Sequence, residues 1–418
     1  MTRRQQRLVL GMILLITVVE YGHRQLLALA LVPIGVDLGV SDTALGALLT
    51  AFGVTYAAAA LLLGRLADRT SRCAVLAAGA AFFSVMTALG AVAGSYLGLV
   101  STRLGVGVGQ AGVSPASTAI LSDTFPPERR ATMLGLVAMA APFGIAVALV
   151  AGGFGIEAYG WRPTFVAAGV IGVLVSALFA LLVKEPPRGF SEGREAEADR
   201  PPSFVAVVRH LGRFRSFRHV LVATALSSLA AITAAQWAPG FLHRVHGMSI
   251  RDAGLAFAVC SLASALGSLL SGVVSDRAGS RDARWYGWVP AIGSLLAAPL
   301  HLIAFLWPGA FGAVGWLVPA LFFAMFFGPP ATASVQSLAP IAMRASAGAV
   351  LASTLIFVGM GAGPLLAGAV SDLLHASHGE ESLRYALCGV SGVYAWSSAH
   401  FFSAARTFRQ DLVAAARG

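Results

Sequence analysis

Twelve runs of mostly apolar residues follow one another along the chain, near 8 to 32, 43 to 63, 74 to 94, 97 to 121, 132 to 156, 162 to 183, 218 to 241, 253 to 274, 287 to 307, 313 to 338, 347 to 371 and 383 to 404. About 20 such residues in a helix cross the roughly 30 Å of hydrocarbon in a bilayer. A backbone in lipid must satisfy its own hydrogen bonds, so runs of this length are read as helices. They predict an all-α membrane protein with twelve transmembrane helices. Of the 418 residues, 57% are hydrophobic and 11% charged, which excludes an ordinary soluble chain. The first run contains Glu20, His23 and Arg24 and lacks a small-residue cleavage site, so it is read as a retained span and not a signal peptide.

The runs are arranged as a duplication. Gly64, Asp68, Arg69 and Arg72 form a charged turn between the second and third runs, and Gly272, Asp276, Arg277 and Arg281 repeat it between the eighth and ninth. The copies lie 208 residues apart (272 minus 64), half of the chain. Two pseudo-symmetric six-helix bundles are therefore expected, residues 1–184 and 218–418, joined by a cytoplasmic linker over 185–217. Within the linker Phe204, Val207, Val208, Leu211, Phe214 and Phe217 alternate at helical spacing with Arg209, Arg213, Arg215 and Arg218. That pattern predicts an amphipathic helix lying flat on the membrane surface. Pro142 with Gly144, and Pro364, fall at equivalent places in the fifth and eleventh runs and are expected to kink them.

The formal net charge of +10 is a topology signal and no sign of nucleic-acid binding. Twenty-three of the 29 Lys and Arg fall in the tails and in alternate loops, while the opposite loops hold Arg162, Arg244, Arg251 and Arg384. Cytoplasmic loops are the basic ones, so both termini are expected in the cytoplasm of a bacterial-type inner membrane, with membrane lipids as contacts. The three cysteines suggest neither a disulfide framework nor a metal site. His243-x-x-His246 and His375-x-x-His378 lack partnering Cys or carboxylates, so no metal is expected there. Gly107-x-Gly109-x-x-Gly112 matches a dinucleotide fingerprint by letter, but it lies inside an apolar run, where glycines serve close helix packing. No cofactor and no enzymatic nucleophile are expected.

Ionisable and amide side chains inside spans are costly in lipid and normally face a cavity. Glu20 and Arg24 are four residues apart and share a helix face, which suits an ion pair. Arg103 and Gln110 stand two turns apart on the fourth span. Gln236 and Trp237 on the seventh span, His301 on the ninth and Gln336 on the tenth are candidates for another wall. In the repeated turns a carboxylate and several guanidiniums sit at a helix end, where they suit pairing or helix capping when the cytoplasmic side closes.

With these residues in view, the chain resembles the Major Facilitator Superfamily. Both charged turns and Arg103-x-x-x-Gly107-x-Gly109 are similar to its signatures. It further resembles the spinster-like branch, through Ser122-Asp123-x-Phe125-Pro126-Pro127-Glu128-Arg129-Arg130, Trp237-x-Pro239, Arg281-Asp282-x-Arg284-Trp285-Tyr286, Gln336-Ser337-Leu338 and Glu381-Ser382-Leu383-Arg384-Tyr385. The resemblance implies alternating access and a lipid-like amphiphile such as a lysophospholipid as solute. It also implies a first-span Asp-Arg pair and a fourth-span Glu for substrate and proton coupling. Here His23 and Gln110 stand in place of the two acids, and Arg24 is retained. Glu20, one turn before His23, is the expected replacement carboxylate, with His23 as its titrating neighbour.

The expected function is secondary transport of a small organic solute, anionic or amphiphilic, by a monomer that is not an enzyme. A broad drug exporter and a transport-dead receptor are the alternatives.

Overall fold

The computed structural model describes residues 2–186, 204–340 and 343–417. The chain is helical throughout the transmembrane runs. Helices α1 (Arg3–Leu38), α2 (Asp42–Arg69), α3 (Arg72–Ala91), α4 (Tyr96–Ala111), α5 (Val113–Thr124), α6 (Pro127–Tyr159) and α7 (Trp161–Leu182) precede the linker. After it come α8 (Phe204–Leu211), α9 (Arg215–Arg244), α10 (Ile250–Gly279), α11 (Trp285–Leu306), α12 (Ala310–Ala324), α13 (Gly328–Leu338), α14 (Arg344–Thr354), α15 (Gly363–His378) and α16 (Ser382–Arg417). Thr2, Ser41, Ser71 and Ser95 cap the first four helices, each side chain accepting a backbone N–H two or three residues into the helix.

Three of the passes are broken helices. Gly112 interrupts the fourth, between α4 and α5. A 3₁₀ turn at Met325–Phe327 interrupts the tenth, and a π-helical segment at Leu355–Met360 the eleventh. Ten stretches of the described residues are long and apolar enough to cross a bilayer. One of these, Ser346–Ala416, covers two passes, and α4 with α5 supplies another, which brings the total to twelve. The fifth pass runs through Pro142 as one helix, whereas the eleventh is broken ahead of Pro364.

The chain divides into two compact units, Met1–Glu197 with Gly247–Ala258, and Ala198–His246 with Val259–Gly418. In the first unit glycines bring the helices together. A Cβ on Gly107 would meet the Thr55 hydroxyl and come within 2.7 Å of the Phe52 carbonyl on α2. One on Gly109 would stand 2.7 Å from the Phe83 nitrogen on α3. Helix α4 is thus clamped between α2 and α3 by the very glycines that mimic a nucleotide fingerprint. Gly144 lets α6 approach α1 in the same way, its Cβ direction ending 2.5 Å from the Val18 carbonyl.

The second unit is built around a core that includes Phe217, Ala231, Phe327, Val335, Tyr394 and Phe401. Val207 and Leu211 of α8, together with Phe214, are buried in this same core. Val207 and Leu211 of the helix expected on the membrane surface thus pack on protein, toward α14, while Val208 stays exposed. Arg209, Arg213, Arg215 and Arg218 remain exposed. The linker residues 187–203 lie outside the described residues.

Candidate functional site

Arg24 sits midway along α1 among polar and aromatic partners. Its Nη2 donates to Glu20 Oε1 at 3.1 Å and to Gln110 Oε1 at 2.9 Å, and its Nε donates to the same Gln110 oxygen at 3.3 Å. The guanidinium carbon lies 4.7 Å from the Tyr21 ring centroid, 5.0 Å from Phe52 and 5.4 Å from Tyr56. Phe52 and Tyr56 are four residues apart on α2, so both rings point from one helix face. Cation–π attraction from the rings and hydrogen bonds from the oxygens together fix a charge that would be costly in lipid.

Gln110 is itself oriented. Its Nε2 donates to the main-chain oxygen of Glu20 at 3.1 Å, which leaves only the amide oxygen for Arg24. Arg24 therefore meets one carboxylate, Glu20, together with the neutral Gln110 oxygen and the side chains of Tyr21 and Tyr56. Below Glu20 a cavity of about 320 Å³ opens between α1, α5 and α6, bordered by Glu20 and Tyr21 and by a row of hydroxyl groups.

The other expected residues are distributed differently. His23 faces away from Arg24. Its Nε2 donates to the Ala168 carbonyl on α7 at 2.9 Å, its Nδ1 lies 3.4 Å from the Thr87 hydroxyl on α3, and Phe83 meets the ring edge-on. The imidazole borders a separate, apolar cavity of about 640 Å³ among α1, α6 and α7. Arg103 also stays inside the bundle, 2% exposed, its guanidinium 5.6 Å from the Phe165 ring and against Gly90 of α3. The expected face shared by Arg103 and Gln110 is thus divided between two neighbourhoods.

In the second unit the Trp237 indole donates to the Pro364 carbonyl at 3.2 Å, tying α9 to the start of α15. Gln236 beside it is buried, and its amide oxygen has no partner among the described residues. Gln336 is exposed on α13 near Gly348. His301 stacks on Tyr394 with ring centroids 5.2 Å apart.

Each charged turn is braced within its own unit. In the first, Arg72 forms an ion pair with Asp123 of α5, and Glu185 accepts from the Ser71 hydroxyl at 2.6 Å and from the Arg72 and Cys73 N–H groups at 2.9 and 2.8 Å. Burial pushes the Glu185 carboxyl up, but these hydrogen bonds outweigh it and hold the group below the usual carboxylate range. In the second, Asp276 accepts from the Tyr286 hydroxyl at 3.0 Å, while Asp282 pairs with Arg284 and Arg409. Gly64 faces Pro115 and Gly272 faces Pro329, so in both copies the turn's glycine meets a proline in its own unit's broken fourth pass. Arg69, Arg277 and Arg281 are exposed, and the Asp68 side chain lies outside the described residues.

Spacing had not pointed to Tyr21, Phe52, Tyr56, Asp123, Glu185 or Ser117. Tyr21 alone left a trace, three residues before Arg24 on the same helix face.

Twelve passes, with a partnered cation beside a polar cavity in the first unit, fit a membrane transporter for small solutes. The chain belongs to the Major Facilitator Superfamily, whose model matches residues 13–364. An MFS-type efflux pump of Mycolicibacterium smegmatis is 30% identical, over 97% of this chain and 94% of that protein. A probable L-galactonate transporter of Escherichia coli is 25% identical, over 93% and 87% of the two chains. A solved bacterial homologue of the human lysosomal transporter spinster, in an inward-facing and unoccupied conformation, superposes with a TM-score of 0.90 at 25% identity, covering 98% of this chain and 99% of that one. The protein is accordingly a spinster-like secondary transporter that moves a small organic solute across a membrane by alternating access.

Proposed function

We propose that the solute is an organic anion whose negative group is bound by Arg24. The observation that carries this reading is the asymmetry of the Arg24 partners. Glu20 is the one acid among the partners of Arg24, the others being the Gln110 amide oxygen and the Tyr21 and Tyr56 side chains, so a further anion can join the guanidinium by displacing neutral groups without expelling a charge. The name of the L-galactonate relative is that of an anion, which agrees with the reading. An amphiphilic, lysolipid-like body on that anion agrees with the kinship to a sphingosine-1-phosphate transporter of Danio rerio, 26% identical over 96% of this chain.

Glu20 is the titratable carboxylate of this site, and we assign proton coupling to it. Gln110 does not titrate, and His23 is engaged with α3 and α7. The two braced turns set the rate of the conformational cycle. The protein works as a monomer in a bacterial inner membrane with both termini in the cytoplasm, in contact with membrane lipids.

The kinship to an efflux pump supports a second reading, export of hydrophobic cations. A cation needs an acid without a cationic partner, and here Arg24 already balances the Glu20 charge. Counterflow of a labelled organic anion in proteoliposomes tests the choice. The expected result is uptake by the native protein and loss on Arg24→Ala. Cation transport that survives Arg24→Ala would overturn the proposal.

A further inference from the structure

The cavity below Glu20 has a chemical bias of its own. Thr17, Ser114, Ser117 and Thr118 place hydroxyl groups around it, the last three on one face of α5 at the i, i+3, i+4 spacing. Thr17 donates its proton to the Ile13 carbonyl at 2.9 Å and Thr118 to the Ser114 carbonyl at 3.0 Å. With their protons so engaged, these two hydroxyls have only acceptor capacity left for a further partner. Glu20 is 3% exposed and spends one oxygen on Arg24, and a carboxylate offers about four acceptor sites in all. Ser117 is 4% exposed, and its hydroxyl has no partner among the described residues. A buried hydroxyl without a partner is costly unless a ligand or water supplies one. Opposite stands an apolar wall from α6, with Val137 and Ala141.

An acceptor-rich wall facing an apolar one fits a carbon chain that carries several hydroxyl groups, with O–H bonds on one side and C–H bonds on the other. We propose that Ser117, Thr17, Thr118 and the outer oxygen of Glu20 form a subsite for the hydroxyl groups of a polyhydroxylated anion. This deepens the Arg24 reading and rests on it: Arg24 holds the negative group, and the cavity reads the polyol that follows. The same chemistry is offered by a free sugar acid and by a polyol headgroup on a lysolipid. An ammonium group is the rival donor, and the neighbouring Arg24 charge disfavours it.

Calorimetric binding to the purified full chain in detergent tests the subsite with paired probes. Gluconate against hexanoate examines a free acid, and lysophosphatidylglycerol against dodecyl phosphate examines a lipid headgroup. The hydroxylated member of one pair should bind at least about tenfold tighter, and the pair that shows the preference identifies the source. Ser117→Ala should lower affinity for that member about fivefold to tenfold and leave its hydroxyl-free partner unchanged, with Thr118→Val as a second variant should Ser117→Ala melt early. Three results would overturn the proposal: equal binding within both pairs, no binding by either hydroxylated probe, or tighter binding of phosphoethanolamine than of glycerol phosphate. Arg24→Gln separates the two readings, since it should weaken every anion. The neutral amide gluconamide should still prefer the native chain over Ser117→Ala even where the Arg24 reading fails.

Discussion

Gln110 donates its amide N–H to the main-chain oxygen of Glu20 at 3.1 Å, and this bond decides which end of the amide Arg24 meets. The site's charge balance follows from it. A carboxylate at position 110 would present a second negative charge to the same guanidinium, and the anion would then compete with it.

Gln110→Glu should therefore weaken anion binding about tenfold at neutral pH. It should also steepen the pH dependence that Glu20 already gives the native site, affinity recovering further as the new acid is protonated. Binding isotherms between pH 5 and pH 8 check this, and unchanged affinity across that range would show that Gln110 does not set the charge balance.

Gly107→Ala should destabilise the first unit by about 1–3 kcal/mol, the usual cost of overpacking. The new methyl meets the Thr55 hydroxyl and the Phe52 carbonyl. Gly135→Ala is the control, because nothing lies within 4 Å of its Cβ direction. Fluorescence-detected size exclusion after graded heating should separate the two variants.

Glu185 caps the start of α3, and its carboxyl is held below the usual range. A depressed folded value contributes stability that is present above the unfolded value, about 4.3, and is lost as pH falls through the folded one. The native chain should thus lose melting temperature on acidification below about pH 5. Glu185→Gln should cost about 1 kcal/mol at neutral pH, as lost helix caps do, and should flatten that acid limb. A melting curve against pH that keeps its acid slope in the variant would remove Glu185 from this role.

Arg162 joins three helix ends. Its Nε and Nη2 donate to Asp37 at 3.1 and 2.8 Å, and its Nη1 donates to the Ala91 and Ala93 carbonyls at 2.7 and 2.9 Å. Arg162→Lys keeps the charge and loses the fork, which should lower stability by about 1–2 kcal/mol. Solute affinity should not change, because Arg162 touches none of the Arg24 partners. A loss of affinity without a loss of melting temperature would contradict this division of labour.

The sequence was most readable where its signals are local. Twelve apolar runs, the doubled turn and the Glu20–Arg24 spacing all rest on residues within a few turns of one another, and the structure has each of them. The contact between Arg24 and Gln110 joins residues 86 positions apart and needs the α2–α4 glycine clamp to form, so no spacing rule reaches it. His23 illustrates the same limit at close range. Adjacent helix residues point about 100° apart, and only the positions of Thr87 and Ala168 show that His23 turns from Arg24. The π-helical segment at Leu355–Met360 was equally hidden, since it depends on Gly359 seating against Ser228 of α9. For α8 the pattern of apolar and basic residues alone does not say which apolar side chains meet protein, as Val207 and Leu211 do, and which stay exposed, as Val208 does.

The broken fourth pass has a consequence for how the protein is made. Helices α4 (16 residues) and α5 (12 residues) are each too short to cross a bilayer alone, and this pass bears Arg103 and Gln110. During synthesis such a segment is a poor solitary passenger at the translocon and needs α2 and α3 already waiting, with Phe52 and Gly79 in place to receive its glycines. The buried polar residues of this pass thus make it the segment whose insertion depends most on its neighbours.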